Sequence, residues 1–170
     1  MLTIVDLDHT LVHSCREAVA GGHDAFPISV NGMTFVVHVR PYAVDFLRYL
    51  MATGECGVWT AGTREYMECV LDKLFARLDC DWRSRLTIAY SRDETTKKGS
   101  KLIKDLSALP KPCVLDDDDA VHARCRCNRG LVRLVPPFDA MTPSSEKDFF
   151  FLREMHALER TKCGTTSACA

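Results

Sequence analysis

The 170-residue sequence lacks a large excess of charge of either sign. Its lysines and arginines nearly balance its aspartates and glutamates, and the formal net charge is −1. Proteins that bind nucleic acid directly usually have a strongly basic surface, so this balance argues against a nucleic-acid partner. The sequence also lacks an apolar run long enough to cross a bilayer, so we expect no membrane association.

The sequence also predicts no signal peptide and no modular organisation. Asp6 interrupts the N-terminal apolar run too early for a secretory h-region. We find no internal repeat and no linker, and the length suits one core. The sequence therefore predicts a single domain over residues 1–160, a monomer in solution, and a disordered tail of small and polar residues at 161–170.

Cysteine is abundant, but its spacing shows no disulfide framework. There are nine cysteines, an odd number, and Cys56, Cys69 and Cys113 lie in or beside apolar patterns that are typical of a core. This usage favours reduced thiols in an intracellular protein of the nucleus or cytoplasm.

Short apolar runs alternate with amphipathic helical patterns along most of the chain. The predicted strands are 2–6, 26–30, 33–39, 56–60, 86–90, 112–116 and 131–135, and the predicted helices are 41–53, 64–78, 100–108 and a last one starting at Ser145. Asn31-Gly32 predicts a tight hairpin between the second and third strands. The order predicts an α/β fold with a central, mostly parallel sheet flanked by helices, a small hairpin insertion and no large cap.

Two carboxylates follow the first strand. Asp6 and Asp8 lie two residues apart, so both can line one pocket at the end of the strand. Their mutual repulsion would be offset by a divalent cation such as Mg²⁺, which prefers oxygen ligands. One carboxylate can then act as a nucleophile while the other transfers protons. The alternative is a solvated acidic turn.

Three further polar features follow in order along the chain. Thr60 ends a second apolar run, Lys104 lies on the predicted helix at 100–108, and four aspartates at 116–119 follow another apolar run. Ligands of open α/β sheets bind outside the carboxyl ends of the strands. We therefore expect six residues, Asp6, Asp8, Thr60, Lys104, Asp116 and Asp117, to meet in one pocket, and we expect Asp118 and Asp119 to form a solvated turn.

The sequence Asp-Leu-Asp-His-Thr-Leu-Val-His-Ser at 6–14, with Trp59-Thr60-Ala61, Lys104-Asp105-Leu106-Ser107 and Leu115-Asp116-Asp117, resembles the haloacid dehalogenase superfamily. Within it, the closest resemblance is to the small phosphatases that act on the carboxy-terminal domain of RNA polymerase II. The resemblance covers roughly residues 2–137. It implies a haloacid dehalogenase-like fold and a Mg²⁺-dependent protein phosphatase that acts on phosphoserine through an aspartyl-phosphate.

The resemblance also implies a role for each site residue. Asp6 would be the nucleophile and Asp8 the acid and base, while Thr60 would contact the phosphoryl oxygens and Lys104 would neutralise their charge. Mg²⁺ would be bound by Asp6, the backbone carbonyl of Asp8 and Asp117, with Asp116 in support. His9 is expected to be a wall residue. The expected substrate-binding residues are Thr10, Arg16, Ile28, Val30, Thr63 and Arg92.

Two of these residues depart from the family pattern. The family has an apolar, proline-binding pocket in which Ile28 and Val30 would be walls. Arg16 stands where an aromatic residue is expected, and Thr63 stands where a leucine is expected. A guanidinium at this place predicts weaker selection for proline and attraction for an acidic residue or a second phosphate near the phosphoserine.

Several alternatives remain open at the level of sequence. The same chemistry could serve a small-molecule or nucleic-acid phosphate ester, or the protein could bind phosphopeptides without catalysis. Cys127 and Arg133 fit the cysteine-x5-arginine pattern of thiol phosphatases, but the apolar strand pattern between them argues against the required helix N-terminus. His122, Cys125 and Cys127 could bind zinc, although no second ligand pair lies at the usual spacing.

Overall fold

The computed structural model describes residues 1–17, 24–110, 112–118 and 131–165. The strands in these ranges are β1 (Leu2–Val5), β2 (Val12–Cys15), β3 (Ala25–Val30), β4 (Met33–Val39), β5 (Glu55–Trp59), β6 (Ile88–Tyr90), β7 (Thr96–Lys98), β8 (Lys101–Ile103), β9 (Cys113–Asp116) and β10 (Val132–Leu134). The helices are α1 (Ala43–Thr53), α2 (Arg64–Ala76), α3 (Trp82–Arg85) and α4 (Phe150–Thr165).

A five-stranded sheet with the order β10-β9-β1-β5-β6 forms the centre of the fold. All of its strand pairs are parallel. Strand β1 is central and buried along its whole length, which explains its continuous apolar run. The predicted α/β class with a mostly parallel sheet is confirmed.

Helices α1 and α2 have cap residues that their sequences predict. The Oγ1 of Thr63 accepts the N–H of Tyr66 at 3.3 Å, so Thr63 is the N-cap of α2, as its position before the apolar pattern predicts. Gly54 follows α1, and its N–H donates to the carbonyl of Leu50. Helix α1 packs against α4 and β5.

The predicted hairpin is confirmed. Strands β3 and β4 are antiparallel, and the turn residues Asn31 and Gly32 have φ values of 50° and 73°, as a type I′ turn requires. Strand β2, which the sequence did not predict, pairs with the other edge of β4 and completes a three-stranded sheet.

The predicted helix at 100–108 is wrong. Strands β7 and β8 form a second hairpin around Gly99, which has a φ of 67°, and a 3-10 helix at Leu106–Ala108 follows. Lys104 therefore lies on the short link between β8 and this 3-10 helix.

The last helix begins later than the sequence predicts. Ser145 opens a 3-10 turn, and α4 starts at Phe150, whose N–H donates to Oδ1 of Asp148 at 2.8 Å. The helix is assigned to Thr165, and the predicted tail at 161–170 stays a prediction. Residues 166–170, Asp119 and the cysteine- and arginine-rich stretch at 120–130 lie outside the described residues.

Among the parts of the chain that are described, no helix has the length and apolarity needed to span a membrane.

Candidate active site

Neighbouring strands of the central sheet deliver acidic and hydroxyl side chains to one edge. Asp6 follows β1, Thr60 follows β5 and Asp116 ends β9, and these three strands are adjacent. They open onto a cavity of about 180 Å³. The cavity is lined by Asp6, Asp8, His9, Thr60, Ala61, Lys104, Asp116, Asp117 and Asp118. The structure thus brings together all six residues that the sequence predicted to converge, with His9 on the wall.

Lys104 connects two of the strand ends. Its Nζ donates to Oδ1 of Asp6 and to Oδ2 of Asp116, both at 2.6 Å. All three side chains are buried. A charged ammonium between two carboxylates satisfies groups that would otherwise be costly to remove from water.

The single lysine does not balance the acidic residues around it. Burial raises the pKa of Asp6 well above its usual range; the Lys104 ammonium opposes this effect and the charge of Asp116 adds to it. Burial and the charge of Asp116 also raise the pKa of Asp117. Asp6, Asp116 and Asp117 each offer one carboxylate oxygen within 4.8 Å of the others. Clustered hard oxygen donors with excess negative charge fit a cation such as Mg²⁺.

Asp8 has a different environment from Asp6. Its Oδ2 accepts a hydrogen bond from Thr60 Oγ1 at 3.2 Å, and its Oδ1 accepts one from the phenol of Tyr66. Thr60 Oγ1 itself accepts the N–H of Gly62 at 2.9 Å. Asp8 is half-buried in the lining of the cavity, where a carboxyl group can exchange protons with a substrate or water.

Thr10 lies behind the acidic cluster. It is fully buried, and its Oγ1 donates to Oδ1 of Asp117 at 3.4 Å. Its carbonyl accepts a hydrogen bond from the buried guanidinium of Arg40 at 3.2 Å. Thr10 therefore supports Asp117 in this structure, and its expected role in substrate binding stays a prediction.

The other expected substrate-binding residues lie outside the cavity lining. Arg92 is exposed beside it, and its Nε donates to the carbonyl of Ala61 at 2.8 Å. Ile28 and Val30 are each only 5% exposed and pack in the main core. Arg16 is exposed at the end of β2, and Thr63 caps α2. Their roles in substrate binding remain predictions.

Sequence reasoning missed the hydroxyl donors of Asp8. Tyr66 fits the apolar pattern of α2, and that pattern does not indicate that its hydroxyl reaches Asp8. Ser14, on the unpredicted strand β2, contacts the Tyr66 hydroxyl at 2.5 Å between oxygens. Strand β2 was not predictable because its four residues show no clear alternation of apolar and polar side chains.

Comparison with known proteins gives concordant matches. The family model for NLI interacting factor-like phosphatases matches residues 1–131. The mouse carboxy-terminal domain RNA polymerase II polypeptide A small phosphatase 2 is 37% identical over 125 residues, which cover 70% of this chain and 44% of that protein. The CTD nuclear envelope phosphatase 1 homolog of Caenorhabditis elegans is 29% identical over 188 residues, which cover 95% of this chain and 74% of the other.

Solved structures show the same fold. The fission yeast RNA polymerase II CTD phosphatase Fcp1, bound to beryllium fluoride, superposes with a TM-score of 0.60 at 18% identity, covering 91% of this chain and 50% of that one. This likeness concerns the fold alone. The chain spans less than half the length of the human and mouse small phosphatases 2 that it matches.

Proposed function

The chain belongs to the NLI interacting factor-like phosphatase family, and on this premise we propose that it is a Mg²⁺-dependent phosphatase that hydrolyses phosphoserine in proteins. The observation that carries the proposal is the pair Asp6 and Asp8. They line one cavity but have different partners: Asp6 contacts the Lys104 ammonium, and Asp8 accepts hydrogen bonds from two hydroxyl groups. Two carboxylates in different environments can take different chemical roles.

In the first half-reaction, a carboxylate oxygen of Asp6 attacks phosphorus and the bond from phosphorus to the serine oxygen breaks. Asp8 gives its proton to the departing serine alkoxide. In the second half-reaction, Asp8 takes a proton from water as the water attacks the aspartyl-phosphate, which releases inorganic phosphate and restores Asp6. Lys104 and Thr60, which line the cavity, would stabilise the negative charge on the transferring phosphoryl oxygens.

The acidic cluster would hold the metal ion. Both oxygens of Asp116 already accept hydrogen bonds, one from Lys104 and one from the N–H of Asp118 at 3.0 Å. This favours Asp6 and Asp117 as the direct carboxylate ligands, with Asp116 in support. When bound, Mg²⁺ would supply positive charge that offsets the cluster and the substrate phosphate.

The substrate is proposed to be a phosphorylated protein segment such as the tail of RNA polymerase II, which appears in the names of several relatives. A nuclear location would match those names. Arg92, held beside Ala61, is proposed to bind the substrate phosphate. The exposed guanidinium of Arg16 is proposed to favour an acidic residue near the phosphoserine, in place of a strict demand for proline.

The test is phosphate release from phosphoserine, phosphothreonine and phosphotyrosine peptides, with and without Mg²⁺, in the wild type and in Asp6→Asn. We expect the phosphoserine peptide to be the best substrate, and we expect Asp6→Asn or removal of Mg²⁺ to abolish turnover. Hydrolysis of small phosphate esters but of no peptide would show that the substrate is a small molecule and not a protein. Binding of phosphopeptides without any turnover would overturn the enzyme assignment.

A second peptide series addresses the flanking residues. It places proline, alanine or glutamate after the phosphoserine and compares wild type with Arg16→Phe. We expect wild type to favour glutamate and Arg16→Phe to lose that preference. Strong selection for proline in the wild type, unchanged in Arg16→Phe, would contradict the proposed acidic preference.

A further inference from the structure

A chain of three side chains leads from strand β2 through helix α2 to Asp8. Ser14 contacts the hydroxyl of Tyr66, and the Tyr66 hydroxyl donates to Oδ1 of Asp8. Oδ1 of Asp8 can only accept, both when the acidic proton is on the other carboxyl oxygen and when Asp8 is ionised after proton transfer, so the phenol proton points to Oδ1. The Tyr66 oxygen then accepts from Ser14, and the direction of the chain is set.

The packing around Tyr66 keeps this arrangement in place. Tyr66 lies in the first turn of α2, next to the cap Thr63, and is half-buried. Its ring fills the space above Gly62: a Cβ at Gly62 would lie 2.7 Å from Cδ1 of Tyr66 and 3.2 Å from Oγ1 of Thr60. Both donors to Asp8 therefore border the same glycine, and there is no room for a larger residue between them.

The two oxygens of Asp8 are consequently held by two hydroxyl groups from different elements. Thr60, after β5, holds Oδ2 at 3.2 Å, and Tyr66, on α2, holds Oδ1. A carboxyl group with donors on both oxygens loses its freedom to rotate, which is the precondition for proton transfer along a fixed direction.

We propose that Tyr66, oriented by Ser14, is a positioning residue that holds the Asp8 carboxyl group in the geometry needed to protonate the serine leaving group. This inference rests on the proposed function, because it assigns the orientation of the acid that the reaction needs. It predicts that the importance of Tyr66 depends on how strongly the leaving group requires a proton. A serine alkoxide requires one, whereas the nitrophenolate released from p-nitrophenyl phosphate leaves readily without it.

The experiment compares kcat/KM for a phosphoserine peptide and for p-nitrophenyl phosphate in wild type, Tyr66→Phe and Ser14→Ala. We expect Tyr66→Phe to lower kcat/KM for the peptide by about tenfold or more, through kcat, and to change the value for the aryl ester by less than about threefold. Ser14→Ala should also lower kcat/KM more for the peptide than for the aryl ester, but by a smaller factor than Tyr66→Phe. Tyr42→Phe, which removes a phenol on another part of the surface, is the matched control and should leave both values unchanged.

Three results would overturn the inference while leaving the proposed function intact. Equal losses with both substrates would indicate a general structural role for Tyr66. A rise in KM at unchanged kcat would make Tyr66 a substrate contact. Wild-type rates in Tyr66→Phe would show that Thr60 alone holds Asp8. A wild-type enzyme that hydrolyses neither substrate would instead overturn the proposed function, and this inference with it.

Discussion

The Nζ of Lys104 lies 2.6 Å from Oδ1 of Asp6, although the two residues are 98 positions apart in the sequence. The same ammonium reaches Asp116, the end of the adjacent strand. One lysine therefore joins the first and last parts of the acidic site. This relationship makes the site sensitive to the loss of a single positive charge.

Replacing Lys104 with methionine should destabilise the protein and stop catalysis. The variant leaves two buried carboxylates without their shared cation, which costs about 3 kcal/mol in the free energy of unfolding. Urea denaturation in the absence of Mg²⁺ measures the loss, and phosphate release measures activity. Asp6→Asn is the matched control: it should be inactive but should lose less stability, because it removes one of the negative charges and keeps the lysine. Equal stability of Lys104→Met and wild type would contradict the account of this ion triad.

Gly62→Ala should lower activity because the new methyl group would push into Tyr66 and Thr60, at 2.7 and 3.2 Å. We expect a loss of about tenfold in kcat for a phosphoserine peptide. Gly54→Ala provides the control, since its Cβ would meet only the carbonyl oxygen of Met1, at 3.1 Å and away from the site. Activity should therefore fall in Gly62→Ala only. Full activity in Gly62→Ala would show that the two hydroxyl donors tolerate displacement.

Arg40→Met should cost stability through a different ion pair. The buried Arg40 guanidinium donates through Nε to Asp148 at 2.8 Å and packs against the rings of Phe138, Phe150 and Phe151. Loss of this buried pair should lower the free energy of unfolding by about 3 kcal/mol in urea denaturation.

The control for Arg40 is Arg48→Met. Arg48 forms an exposed ion pair with Asp45, and such pairs contribute only about 0.5 kcal/mol or less. Similar losses in the two arginine variants would contradict the importance of burial for the Arg40 pair.

Catalysis should be independent of thiols. Burial raises the pKa of the Cys56 thiol to about 12, and burial also raises the pKa of Cys15, Cys69 and Cys113. These thiols are protonated at neutral pH and are poor nucleophiles. Because the proposed reaction uses Asp6 and a metal ion, EDTA should abolish activity, whereas Cys127→Ser should retain wild-type kcat. Loss of activity in Cys127→Ser together with resistance to EDTA would favour the thiol mechanism.

The sequence was sufficient to predict most of the strand ends that carry the site residues. Asp6, Thr60 and Asp116 each follow an apolar run of strand length, and parallel strands bring such ends together. The position of Lys104 was not predictable in the same way, because the apolar residues Leu102, Ile103 and Leu106 fit helical spacing. The dipeptide Gly99-Ser100 was the overlooked signal for a tight hairpin turn.

The partners of Asp8 could not be derived from local pattern. Tyr66 and Ser14 are 52 residues apart, on α2 and on a strand that the sequence did not reveal. Their meeting depends on the three-stranded sheet packing beside α2, which is a tertiary contact. Helix periodicity alone describes Tyr66 as one more apolar position.

The central claim is that Asp6 becomes covalently phosphorylated during turnover. The most direct test quenches the enzyme during hydrolysis of a phosphoserine peptide in the presence of Mg²⁺, reduces it with borohydride and maps the products by mass spectrometry. An acyl phosphate is reduced to an alcohol, so we predict homoserine at position 6 in the wild type and none in Asp6→Asn or in enzyme without substrate. Active turnover with no homoserine at position 6, or with the phosphoryl group on a cysteine, would contradict the account.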